Sequence, residues 1–98
     1  EEMPAVFRAE FWKELCFAAA FLQNDVQAAN AWWQKIEKQL ARRQDVPVLR
    51  LKAALQKVNG NADEARRLAQ QGLSLLNRKV VLNANEQLER RLLGALAA

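Results

Sequence analysis

The stretch "NGNADEARRLAQQGLSLL", residues 59–76, opens on the sharpest punctuation in the chain and continues as one amphipathic run. Gly60 takes positive φ without steric cost, so Asn59-Gly60 marks a turn. Asn61 and Glu64 then stand at capping-box spacing, Asn in place of Ser or Thr, each side chain able to meet the other's backbone amide. Ala62, Ala65, Ala69, Gly72 and Leu76 follow at steps of three and four. That spacing predicts a helix over residues 62–76 with one apolar face.

Displacing the chain by 36 residues brings this unit onto "LQNDVQAANAWWQKIEKQL", residues 22–40. Val26, Ala29, Trp33, Ile36 and Leu40 repeat the stripe, and the break at Asn24-Asp25 matches that at Gly60-Asn61. The preceding helices superimpose as well: Trp12, Leu15, Ala19 and Leu22 against Val48, Leu51, Leu55 and Val58. Where the first copy has Trp33 and Ile36, the second has Ala69 and Gly72, an alternation of volume that lets facing layers interdigitate.

The remaining boundaries follow from caps. Pro4 suits a first turn, whose amides lack intrahelical acceptors, and predicts helix 1 over 5–23. Asp25 caps helix 2, over 26–42. Asp45 caps helix 3, over 46–58, with Pro47 in its first turn. Asn83 and Glu86 repeat the capping-box spacing and start helix 5, which reaches about 97. In that helix Leu88, Leu92 and Leu96 recur at steps of four, with Arg90 and Arg91 turned to water. Each helix is read as having one apolar face, suited to hairpins that stack on one another.

These units resemble the tetratricopeptide repeat over roughly residues 11–77. Gly60, Ala65, Gly72 and Leu73 match the family's second helix, while Ala69 replaces its aromatic and Asn77 its closing Pro. Ala29 and Trp33 match in the first unit, where Ile36 occupies a small-residue position. Trp12, Leu15 and Cys16 fit the family's first helix, and Lys52 departs from it. The resemblance implies an all-α fold, a short right-handed superhelix of two helix pairs (repeats at about 8–42 and 46–77) with helix 5, over about 84–97, as cap, in one domain over 1–98. It also implies a concave surface from helices 1 and 3, lined by Lys13, Phe17, Leu49, Arg50 and Ala53. Some members grip a peptide carboxylate with Lys and Asn; only Lys13 and Arg50 stand near such positions, so that activity is not carried over.

Composition narrows the chemistry. Half of the 98 residues are apolar, Val and Ile are sparse and Thr is absent, which favours helices over strands. His is absent, removing the commonest general base and metal ligand at neutral pH. Cys16 stands alone, so it forms no internal disulfide and reads as a small apolar filler. The expectation is a non-catalytic chain with no cofactor and no metal. No apolar run is long enough to span a membrane and no signal-like segment begins the chain, so a cytoplasmic location is expected.

The aromatic residues suggest a docking face. Phe7, Phe11, Phe17 and Phe21 give helix 1 a second apolar edge that no preceding repeat covers. A dimer mate, a partner helix or further chain would cover it, the other reading being that it wraps around helix 2. Trp33 lies on the stripe and reads as core, as does Trp12. Trp32 has an apolar counterpart in Leu68, so it reads as packing against the next helix or as a partner-binding anchor.

The function expected is a protein–protein interaction module or scaffold segment binding a peptide or helix, or forming a homodimer, through the helix 1 and helix 3 face. Its partner-binding residues would be Phe7, Phe11, Lys13, Phe17, Trp32, Leu49, Arg50 and Ala53. Two other classes remain open. The chain carries a balance of −2 over residues 1–41 and +6 from Arg42 onward, and Arg42, Arg43, Arg50, Arg66 and Arg67 could form a nucleic-acid-binding face. Against it, Asp63 and Glu86 stand at helical pairing distance from Arg66, Arg67 and Arg90, and no stacking aromatic is interleaved. The third class is a non-catalytic helical tail of a membrane-bound enzyme.

Overall fold

The computed structural model describes residues 5–97, with side chains from Arg8 onward. Pro4 and the side chain of Phe7 therefore lie outside the described residues. The helices run α1 Ala5–Phe17, α2 Val26–Leu40, α3 Val46–Val58, α4 Ala62–Asn77 and α5 Ala84–Ala97, and a π-helical turn, Ala18–Leu22, extends α1. Among the described residues no strand occurs. The radius of gyration is 13.2 Å, which is that of a compact folded chain of this length, about 13 Å.

Most boundaries lie where capping chemistry puts them. Asn24 adopts φ 50° and Gly60 φ 89°, so the two positive-φ residues of the described chain stand 36 apart. Asp25 accepts from the amide of Ala28 at 3.0 Å. At α5 the capping box closes both ways: Asn83 accepts from the amide of Glu86 at 2.8 Å and Glu86 from that of Asn83 at 3.1 Å.

The other predicted box does not form. Asn61 donates its side-chain amide to Gln56 at 2.8 Å, and Glu64 binds Arg67 instead. Asp45 stands at the N-cap of α3 but makes no side-chain cap bond, because Arg43 takes both its oxygens, at 2.9 Å each. The α2 helix stops at Leu40 rather than 42. Lys52 there donates to the carbonyls of Ala41 and Arg43 at 2.8 and 3.0 Å, satisfying acceptors that a helix end leaves orphaned. That long reach is the physical reason Lys52 occupies a position where the resemblance leads one to expect a small residue.

The expectation of one apolar stripe per helix fails at α3. Val48, Leu49, Arg50, Leu51, Ala53, Ala54 and Leu55 are all buried, because α3 packs against α1, the π turn, α2, α4 and α5. A helix surrounded in this way loses its polar face. Ile36 and Leu40 of α2 and Leu93 and Leu96 of α5 are fully or almost fully buried in the same cluster.

Two other stripes are corrected. In α5 the inward side is Glu89, Leu93 and Leu96, while Leu88 is exposed. In α1 the buried face is Ala9, Lys13, Cys16 and Phe17, continued by Ala19 and Ala20, and Leu22 is exposed. The wider π turn contributes to this, since its amides reach back five or six residues, from Gln23 to Ala18 and from Asp25 to Ala19.

Gly72 makes the close approach of α4 and α5 possible. A Cβ built there would lie 3.0 Å from both methyl carbons of Leu93, which has nowhere to go in a filled core. Gly72→Val is therefore expected to cost about 2 kcal/mol as overpacking, even though a glycine leaves the helix. Urea denaturation of the two proteins measures it.

Candidate interaction surface

The α1 helix carries apolar residues on its inner and its outer side, and apolar helix surface is normally covered. Here one side is not. Phe11 is 55% exposed and Leu22 73% exposed, with half-buried Leu15 and Ala18 between them on the same side of the helix. The steps 11, 15, 18 and 22 are those of a helix-docking stripe. Exposed Arg8 and half-buried Glu10 lie close to the stripe in sequence, on opposite edges of it by helical spacing.

The inner side of α1 is closed by charge as well as by packing. Lys13 is 6% and Arg50 5% exposed. The Lys13 ammonium binds Glu10 at 2.7 Å and lies 3.9 Å from Glu14. Arg50 donates to Glu89 on α5 through Nε and Nη2 and to Glu14 on α1 at 3.4 Å. Its guanidinium sits 4.1 Å from the centroid of the Phe17 ring, a cation–π contact. Arg43 bridges Glu10, at 3.2 Å, and Asp45. The network thus joins α1, α3 and α5, and satisfies both buried cations.

Neighbouring cations favour the charged form of two of these carboxylates, Glu10 and Asp45. Lys13, through its hydrogen bond, pulls the Glu10 carboxyl below its ordinary value, and Arg43 does the same to Asp45. For carboxyls shifted downward, the stabilisation is present above the ordinary carboxylate range and is lost as pH falls through the folded-state values. Burial pushes the Cys16 thiol up to about 12, and its sulfur donates to the carbonyl of Ala29 at 3.2 Å. A thiol in that state is no nucleophile at neutral pH.

Lys13, Phe17, Leu49, Arg50 and Ala53, expected to line an open concave surface, are all buried. The reason is α5, which lays Glu89 against Arg50 and packs on α3. Of the described residues expected to bind a partner, Phe11 alone is freely exposed. Phe21 stacks on Phe17 with centroids 5.0 Å apart, so two of the four phenylalanines face inward together. Trp32 is half-buried, 6.2 Å from Trp12, and Lys35 lies 5.7 Å above the Trp12 ring. Trp12 and Trp33 are half-buried at the edge of the core rather than within it.

A polar groove of about 360 Å³ runs over α3 between α2 and α4, lined among others by Trp33, Lys52, Gln56 and Arg67. Asn30 and Asn59 exchange side-chain hydrogen bonds there at 3.0 and 3.1 Å, and Gln71 reaches Gln44 at 2.9 Å. These amides are occupied with each other and tie α2 to the rest of the fold.

The arginines behind the nucleic-acid alternative are mostly engaged. Arg43 and Arg50 belong to the network above, Arg66 pairs with Asp63, and Arg67 pairs with Glu64 at 2.6 Å. Glu86 binds Lys79 rather than Arg90. Among the described residues no helix is long and apolar enough to cross a membrane. No protein-family model, no curated protein and no solved structure matches the chain.

Proposed function

We propose that this chain is a helical protein-interaction module, of the tetratricopeptide-like kind, whose docking face is the outer side of α1. The uncovered stripe Phe11, Leu15, Ala18 and Leu22 carries the proposal. It fits the apolar face of one amphipathic helix, supplied by a second copy of the chain or by another protein. The reading as a repeat unit is supported by the 36-residue displacement, by the paired left-handed residues Asn24 and Gly60, and by Gly72 beneath Leu93. The module acts by shape and apolar contact, and the buried cations serve the fold rather than the partner.

The half-exposed side chains each offer on the order of 1 kcal/mol on docking. Sedimentation velocity over a range of concentrations, with a hydrophobic dye as a second readout, tests this face. Association or dye binding is expected for the natural chain, and Phe11→Glu with Leu22→Glu should weaken it about tenfold for each substitution. A chain that stays monomeric at every concentration and binds no dye would overturn the proposal.

A further inference from the structure

The connector between α4 and α5 holds the most exposed apolar residues of the described chain. Val80 is 101% and Val81 81% exposed, and Leu82 beside them is half-buried. They share a shallow notch of about 470 Å³ with Gln87, Arg90 and Arg91, while Arg78 and Lys79 precede them in the chain. Lys79 neutralises Glu86, the nearest carboxylate in sequence, and Glu89 is turned to Arg50. Among the described residues no carboxylate pairs with Arg78, Arg90 or Arg91. Two exposed valines thus share a notch with Arg90 and Arg91 and follow Arg78 in the chain, and none of the three arginines has a carboxylate partner among the described residues.

We infer that this corner docks on an anionic lipid surface, the valines entering the interface and the three arginines meeting lipid phosphates. Two independent observations lead there. Exposed valines gain free energy only by leaving water, and a soft bilayer interface admits them without a pocket shaped to receive them. The arginines add attraction to negatively charged headgroups, an attraction that fades within a Debye length and therefore with salt. A soluble polyanion would satisfy the arginines alone; an anionic lipid surface satisfies valines and arginines together without a shaped pocket. Neither α1's outer face nor a transmembrane segment is required.

The test is co-sedimentation of the 98-residue chain with vesicles of phosphatidylcholine alone and of phosphatidylcholine mixed with phosphatidylserine. Retention is expected only on the mixed vesicles and is released by added salt. Arg90→Gln and Arg91→Gln should each weaken it about fivefold, and Val80→Asp with Val81→Asp about tenfold or more. All four positions are exposed, so far-UV circular dichroism and the thermal midpoint should stay unchanged. Retention on neither vesicle, or equally on both, would overturn the inference. So would retention that the valine substitutions leave intact, since charge alone would then account for it and no valine would enter the interface.

Discussion

Replacing Arg50 by alanine is expected to remove about 3 kcal/mol of folding stability. The substitution strands Glu89, whose side chain is only 16% exposed, and uncovers the ring of Phe17. Water reaches Glu14, so the loss falls at the lower end of the range for a broken buried pair. Arg50→Met would keep the aliphatic cover over Phe17 and recover part of the loss. Adding Glu89→Leu to Arg50→Met should recover most of the remainder, because an apolar pair of similar volume carries no desolvation cost. Urea denaturation of the single and double variants measures these differences, and hydrogen exchange should show α5 opening first in Arg50→Ala. A loss no larger than that of an exposed ion pair, below about 1 kcal/mol, would show that the network does not hold α5 in place.

Ile36→Ala is expected to cost about 3 to 4 kcal/mol, since Ile36 is completely buried and α2 cannot collapse onto the cavity without moving Leu40. For a chain of this length that is a large part of total stability, which scales at roughly 0.1 kcal/mol per residue. The thermal midpoint should fall by roughly 15 to 25 °C, a shift that calorimetry resolves. The same position distinguishes the two copies of the internal repeat. Its counterpart is Gly72, where added volume rather than lost volume does the damage. Opposite responses to opposite changes in size would show that the copies are complementary halves of one packing scheme.

Helix boundaries were largely legible in the sequence because caps and breakers act locally. Asp25, Pro47, Gly60 and the Asn83–Glu86 pair do their work within a few residues of themselves. Much of what failed had causes lying farther along the chain. Lys13 sits in the middle of the buried face of α1 and so hides that face from any apolar count. Its burial is tolerable only because Glu10 and Glu14 meet it, with Arg43 and Arg50 drawn into the same network from other segments. Glu89 selects the inward side of α5 by reaching Arg50, 39 residues away, and Gly72 makes room for Leu93 rather than Leu88. Asn61 loses its capping role to a glutamine of the preceding helix. In each case a competing polar partner, near or far along the chain, or a packing vacancy outweighed a local periodicity.

The proposed docking face was half legible. An apolar edge on the first helix could be read from Phe7, Phe11, Phe17 and Phe21. Which of these aromatics face outward depended on the rotation of α1, and burial of Lys13 and Phe17 sets that rotation. Phe17 and Phe21 stack, while Phe11 and Leu22 stand in water. The concave surface expected from α1 and α3 is filled, since α5 brings its own carboxylate to the only arginine that could have faced a ligand there.

The outer side of α1 is the proposed docking face. Sedimentation of the natural chain beside the Phe11→Glu, Leu22→Glu double variant tests it most directly. Concentration-dependent association, or dye binding by a monomer, lost in the double variant while its circular dichroism is preserved, is the expected result. A monomeric, dye-silent natural chain indistinguishable from the double variant would contradict it.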